Sequence, residues 1–369
     1  MSLTSKNRLQ RLSELVTLFQ IDGIGTTRFY ELVSSFGSAE RTLAASLNEL
    51  THIPGIGRET ASKIGKLQDQ KKAAAIVKDI IRRGWNYFLY DDSDYPQSLR
   101  DAPDHPPFLF YLGDYKEPDQ NAIAIVGSRM ASAEGRLFAE NLASALAENN
   151  ITVISGMARG IDTSAHRGAL KSGGRTIAVF GSSLDVIYPP EGREMARQIA
   201  QSGVIFSEFL PKTAPLAPNF PKRNRIISGL SQGVVVIEAA ERSGALSTAG
   251  HALLQNREVF AVPGSPRSEK SRGTNKLIKE GAKLLTCIDD IFTELPRLKG
   301  QVKSRHMYMP DELTNTEKMI IQSCAEGPMQ IDGLSRCLKT PVTDLMQILL
   351  ALELKGMIKE LAGKRYMLS

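Results

Sequence analysis

Cysteine is scarce. Cys287, Cys324 and Cys337 are the three in 369 residues, too few and too far apart for a disulfide framework or a paired-cysteine metal site, so a reducing compartment is expected. No apolar run approaches the roughly 18 residues of a membrane span, the uninterrupted ones being as short as 234–237. The N-terminal stretch alternates charge with leucine and holds no continuous apolar core, which predicts no export signal and a soluble, cytoplasmic protein with no membrane partner. Several enzyme signatures are missing too. Gly65-Lys66 runs into Leu67 and Gly363-Lys364 into Arg365, so the phosphate loop of P-loop ATPases does not form. No histidine precedes a glutamate, which removes the zinc-protease HExxH, and His166 in Ser164-Ala165-His166-Arg167 reads as structural. The dinucleotide fingerprint GxGxxG is absent. Gly229-Leu230-Ser231-Gln232-Gly233 has the letters of a nucleophile elbow, but it runs from a helical stretch into a strand, the reverse of that motif's order.

What remains is an ordinary globular composition, 42% hydrophobic and 23% charged, in a chain long enough for two or three domains. The net charge of +6 permits a polyanionic partner without requiring one. Where the cations cluster is therefore the informative quantity.

Residues 1–85 read as short helices, a pattern continuing through the first hundred, broken by two similar turns, Ile21-Asp22-Gly23-Ile24-Gly25 and Ile53-Pro54-Gly55-Ile56-Gly57. Each is followed by an amphipathic run, and the repeat resembles the helix-hairpin-helix, whose glycines bring backbone amides at a helix N-terminus up to a phosphate. A helical spacer with two glycine turns fits the same pattern.

From about Asn121 short β-branched runs alternate with helical ones. Strands are expected at 122–126, 151–155, 176–180, 204–207, 234–238, 259–262 and 283–285, with helices at 133–148, 163–171, 191–201 and 245–255. This spacing predicts an α/β domain over 86–295, an extended Rossmann-like, doubly wound and mainly parallel sheet. Ligands of such sheets sit at the carboxyl ends of the strands. The turns there are Gly127-Ser128-Arg129, Gly156-Met157-Ala158-Arg159-Gly160-Ile161-Asp162 and Gly181-Ser182-Ser183, where glycine allows close backbone approach and helix N-termini supply amide donors for phosphate oxygens. Tight turns need glycine in any case. Phe220-Pro221-Lys222-Arg223-Asn224-Arg225 sets three cations beside an aromatic ring, as single-strand binders do when they stack bases and track the backbone. A solvated basic loop with a buried phenylalanine reads equally well from composition.

Residues 296–312 are polar and basic and read as a linker. A winged helix follows over 313–369, with helices at 316–324, 331–338 and 342–355 and a two-stranded wing at 357–361 and 365–368. Its charge is nearly balanced, seven Lys and Arg against six Asp and Glu, and the helix that would enter a groove carries no cation up to Glu353. A protein-contact role is expected.

Taken together, Gly127-Ser128-Arg129, Ser155-Gly156-x-Ala158-x-Gly160-Ile161-Asp162, Phe220-Pro221-x-Arg223-Asn224-Arg225 and Ser243-Gly244-Ala245 closely resemble the DNA processing protein A family, with Tyr95-Pro96 and Pro106-Pro107 ahead of the sheet. The resemblance implies a non-enzymatic protein of natural transformation that binds and protects incoming single-stranded DNA and loads the RecA recombinase, without catalytic residue, cofactor or metal. It places Arg129 and Arg159 on phosphates, and Phe220, Lys222, Arg223 and Arg225 in the same pocket with Gly127, Ser128, Gly156, Gly160 and Asn224. On this reading Arg129, Arg159 and Arg225 lie on turns at one end of the sheet. The resemblance also implies a homodimer, with Leu277 and Ile278 of the stretch 273–282 as apolar anchors. Two rivals remain, a nucleotide hydrolase like the cytokinin-activating phosphoribohydrolases and a nucleotide-sensing regulator. Against the first, Ser243-Gly244-Ala245-Leu246-Ser247-Thr248-Ala249-Gly250-His251 lacks that loop's glycine run and its acidic base.

Overall fold

A computed structural model describes residues 3–64, 67–299, 314–325, 327, 329–338, 340–354, 357–361 and 363–368. Two compact units emerge, Met1–Gly300 and Gln301–Ser369. No helix among the described residues is long and apolar enough to cross a membrane.

Six helices open the chain: α1 (Leu3–Phe19), α2 (Thr26–Phe36), α3 (Ala39–Ala44), α4 (Leu47–Thr51), α5 (Arg58–Lys63) and α6 (Leu67–Arg82). The two glycine turns lead into α2 and α5, and Gly23 and Gly55 hold φ near +93° and +77°, where a side chain would be strained. Arg28 donates to the Gly23 carbonyl and lies beside Gly55, so one side chain ties the two turns together.

A sheet of nine strands follows. Its elements are β1 (Asn86–Leu89), α7 (Gln97–Arg100), β2 (Phe108–Gly113), β3 (Ala122–Gly127), α8 (Ala133–Glu148), β4 (Thr152–Ser155), α9 (Ile161–Lys171), β5 (Thr176–Val179), α10 (Arg193–Ser202), β6 (Val204–Ser207), α11 (Asn219–Leu230), β7 (Gly233–Ile237), α12 (Gly244–Leu254), β8 (Glu258–Ala261), α13 (Glu269–Lys279), β9 (Lys283–Leu284) and α14 (Ile288–Glu294). The strand order is β1-β2-β6-β5-β4-β3-β7-β8-β9. Strands β6 through β9 in that order pair in parallel, and β2 runs antiparallel to both β1 and β6. This is a doubly wound α/β sheet whose winding reverses between β3 and β7.

Period-two alternation along β3 explains the layers. Ile123 and Ile125 point to the α8–α9 side, where they meet Leu142, Leu146 and Ala165. Ala122, Ala124 and Val126 face the other side, with Ile226, Ile227 and Ala249 of α11 and α12.

Three expectations change here. Residues 86–89 form a strand, not part of a helical run, and with 108–113 they add two antiparallel strands ahead of the parallel ones. The boundary expected between residues 85 and 86 falls inside one packed unit, because Leu12, Phe29 and Ile80 share one core with Trp85, Phe108, Phe110 and Ile199. The Phe19 ring meets Phe108 edge-on at 5.4 Å, and Arg8 pairs with Asp92 at 2.7 Å. The segment from Pro296 does not start as a linker either: Pro296–Leu298 is a 3-10 turn that buries Leu298 with Ile291 and Leu295. Residues 300–313, the rest of that expected linker, lie outside the described ones.

The second unit comprises α15 (Asn315–Ala325), β10 (Met329–Gln330), α16 (Ile331–Leu338), α17 (Val342–Leu354), β11 (Ile358–Leu361) and β12 (Arg365–Leu368), with its strands in the order β10-β12-β11. Ile320, Leu334, Leu345, Leu349, Leu352 and Ile358 form its own core, the arrangement of a winged helix.

Candidate nucleic-acid interface

The carboxyl ends of β3 and β7 diverge where the winding reverses, and a cleft of about 690 Å³ opens there. Gly127 ends β3 and Ser128 and Arg129 follow it, Ala158 comes from the turn after β4 and Asp162 from the start of α9, Phe220, Arg223 and Asn224 from α11, and Arg242 and Ser243 from the turn after β7, with Gly244 opening α12. Residues far apart in sequence therefore share one wall. Tyr188 closes one side, its ring 5.7 Å from that of Phe220.

Phe220 is the organising ring. The exposed Arg129 guanidinium lies over it at 5.0 Å and the buried Arg223 guanidinium at 6.0 Å, a doubled cation–π contact. Asp162, in the first turn of α9, accepts the Ala158 N–H at 3.2 Å, which fixes the turn from Gly156 to Gly160. Burial pushes its carboxyl up, against the pull of Arg223 and Arg129. Arg223 is drawn down to about 10, first by burial and also by the like charge of Arg129. Its Nη1 donates to the Val179 carbonyl at 2.6 Å, while its buried Nε has no hydrogen-bond partner among the described residues. The floor of the cleft thus holds a desolvated cation. Asn224 donates to the Gly244 carbonyl at 3.2 Å and sets the entry to α12, where Ser243 caps the helix through the Ala245 amide. A β-carbon at Gly244 would meet nothing within 4 Å, so this turn stands open to the cleft.

The glycines of the β3 and β4 turns serve a different purpose from the one expected. They admit other parts of this chain. A β-carbon at Gly156 would sit 1.9 Å from Arg223 Nη1, and one at Gly127 would sit 1.9 Å from the Ile237 carbonyl. Gly160 holds φ near +81° with the Ser128 carbonyl against it.

The basic run 220–225 is no loop. It forms the first half of α11, with Pro221 in the first turn, where its missing N–H costs nothing. The run splits by depth. Lys222 is exposed, Arg223 and Asn224 line the cleft, and Arg225 is buried on another face of the helix. Arg225 therefore does not lie on a turn with Arg129 and Arg159. It pairs with Glu208, donates to the Asp104 carbonyl, and its own carbonyl accepts from Gln255 at 3.0 Å. Arg159 is exposed at the turn after β4 and lines a neighbouring groove rather than the cleft, 2.5 Å from Glu191. Sequence reasoning missed Arg242 and Tyr188. Arg242 had a signal, standing one residue before Ser243-Gly244-Ala245.

Two carboxylates that a hydrolase would need are engaged. Asp162 holds its turn, and Glu238 accepts the Ser132 amide at 2.8 Å and the Ser132 hydroxyl. His166 is fully buried, its Nδ1 2.7 Å from the Thr176 hydroxyl, and burial drives it down to about 3.

Residues 86–296 match the model of the DNA recombination-mediator protein A family, more than half of the chain. The chain belongs to the DNA processing protein A (DprA/Smf) family. Residues 309–364 match the DprA winged helix domain, and 15–64 match the SAM-like helix-hairpin-helix tandem. Protein Smf of Synechocystis is 31% identical over 94% of this chain and 96% of its own length. The DprA crystal structure from Streptococcus pneumoniae aligns with a TM-score of 0.67 and 34% identity, covering 76% of this chain and 97% of that one. DprA of Helicobacter pylori, whose structure is described for its single-stranded DNA binding mode, aligns at 0.53 and 30%, covering 58% and 97%.

Proposed function

We propose that this DprA-family chain binds single-stranded DNA in the cleft between β3 and β7 and acts as a recombination mediator, not an enzyme. The observation that carries this is the exposed Arg129 guanidinium lying over Phe220 at the point where the sheet reverses. A base face and a phosphate are the two ligands such a pair takes together. Arg242, across the cleft, and the open turn at Gly244 add a second cation and backbone donors for the next phosphate. The single-stranded DNA binding described for the Helicobacter pylori relative supports the same ligand.

Finer parts of the reading rest on the family. These are loading of RecA, a role in natural transformation, a cytoplasmic location, and a homodimer anchored by Leu277 and Ile278. Both anchors lie half-buried on α13 next to the edge strand β9, and Leu277 also packs on the sheet's own core. Sedimentation of Ile278→Glu reads the dimer directly: a folded monomer supports it, and an unchanged dimer refutes the anchor. The site itself is tested by titrating labelled single-stranded and duplex DNA at several salt concentrations. Single strands should bind more tightly, with a salt slope of about 0.7 per phosphate contact. Equal affinity for duplex would overturn the reading, as would steady release of a free base from nucleotide or DNA.

A further inference from the structure

A second depression lies directly behind the cleft's β4 turn. It is a groove of about 320 Å³ between α8, α9 and the start of α10, lined by Arg136, Arg159, Thr163 and Arg167, with Glu191 as its one carboxylate. Ridge and groove are continuous. Ala158 lines the cleft and Arg159 the groove, and likewise Tyr188 the cleft and Pro189 the groove. A strand leaving the Phe220 ring would reach the groove by crossing the ridge formed by Ala158–Arg159 and Tyr188–Pro189.

Charge favours a polyanion there. Thr163 and Arg167 stand four residues apart on one side of α9, and Arg159 lies in the turn just before the helix, so that all three line the groove. Arg167 shares Glu140 with Lys171, lying 3.6 Å from its carboxylate, while Arg159 pairs with Glu191. Arg136 donates to the Ala131 carbonyl at 2.6 Å and has no carboxylate partner among the described residues. Four cations thus meet two carboxylates. All three arginines are exposed, so their partners are exchangeable contacts in high dielectric, worth little against a phosphate.

We propose that this groove is a second phosphate-binding segment of the DNA path, in which Arg136 and Arg167 hold the backbone of a single strand after it passes the cleft. The inference rests on the cleft reading above and assigns residues that the family resemblance leaves without a role. It makes binding depend on length. A short strand fills the cleft alone, and a longer one engages both segments.

The test compares the full chain with its Arg136→Ala/Arg167→Ala variant by fluorescence anisotropy on oligothymidylates of about 6 and about 30 nucleotides, across salt concentrations. For the long strand the salt slope should fall by about 1.4, from two lost contacts at about 0.7 each. The short strand should bind unchanged, which also shows that the variant is folded, and Arg136→Lys/Arg167→Lys should restore the long-strand slope. Equal loss on both lengths, or no loss on either, overturns the groove. Arg129→Ala, measured alongside, separates this from failure of the cleft: it should weaken both lengths whatever the groove does, and no effect from it on either length removes the cleft reading instead, and the proposed path with it.

Discussion

The Arg223 guanidinium fills the place where a Gly156 side chain would begin, its Nη1 1.9 Å from the position of that β-carbon. Gly156→Ala must therefore push a buried arginine off the Val179 carbonyl or move the β4 turn. Overpacking of this kind costs about 1–3 kcal/mol. Urea unfolding should show that loss. In the double variant Gly156→Ala/Arg223→Ala the two effects should fall short of their sum, because the same contact is removed twice. Strict additivity would show that Gly156 is strained for another reason.

Arg129 and Phe220 act on different parts of a nucleotide and separate in a salt titration. Arg129→Ala should lower the slope by about 0.7. Phe220→Ala should weaken binding by about 1–3 kcal/mol with the slope nearly kept, since stacking releases no counterions. Because Arg129 rests on the ring at 5.0 Å, the two substitutions should couple in a double-mutant cycle. Independent effects would place the ligand elsewhere than between them.

Arg225→Ala should behave unlike either. Removing Arg225 strands Glu208, whose side chain is only 10% exposed and whose carboxyl is pushed up by burial even with its partner present. Breaking one side of a buried pair costs about 3–5 kcal/mol. The expected result is a lower unfolding midpoint and, in the folded protein, an unchanged salt slope. A slope reduced with stability intact would put Arg225 on the DNA.

These contrasts bear on how much the amino-acid order disclosed. Strands β3 to β8 were legible because parallel strands buried on both faces are written as unbroken apolar runs such as Val234 to Ile237. Strands β1 and β2 were not, since β1 follows directly on the helical run and β2 directly on Pro106-Pro107, which read as loop. Helix α11 was hidden by two prolines and three cations at its start. The division of its arginines between cleft and core was beyond any local reading, because it depends on Glu208 and Asp104, which lie 17 and 121 residues away from Arg225. Ring, cation and turn motifs could be named from sequence. Which of them meet is a property of the strand order.

His166 gives a pH prediction with a definite sign. Its folded value near 3 lies below its ordinary 6.5, because burial disfavours the charged ring. Between those values the unfolded chain binds the extra proton, so the stability contributed by the neutral ring is complete above about pH 6.5 and is lost as pH falls toward 3. Asp162 and Glu208, raised by burial, act with the opposite sign as acid is added. Comparison with His166→Gln isolates the ring: the wild-type unfolding midpoint should drop more steeply than the variant's between pH 6.5 and 4. Parallel curves would mean that His166 is not held neutral.

The last prediction concerns the winged helix. Its helix α17 buries Leu345, Leu349 and Leu352 in a core of its own and leaves Met346 and Leu350 44% and 58% exposed, with Asp344 also at the surface. A groove-reading helix should present cations and amides to phosphates and bases. This one presents Met346, Leu350 and the Asp344 carboxylate, with Gln347 as its exposed amide and no cation among its described residues, which suits a protein partner better than DNA. Lys359, Lys364 and Arg365 near the wing are the contrary feature, since a basic wing can follow a backbone without reading it. Removal of the module decides between them, provided the cut spares Leu298, which belongs to the core of the first unit. A chain ending at Gly300 keeps that unit's cores whole and should fold. Its affinity for single-stranded DNA should fall by less than about threefold, or about 0.65 kcal/mol. A hundredfold loss in the folded truncation would show that the winged helix holds the DNA alongside the cleft, and that the wing's cations outweigh the aliphatic face of α17.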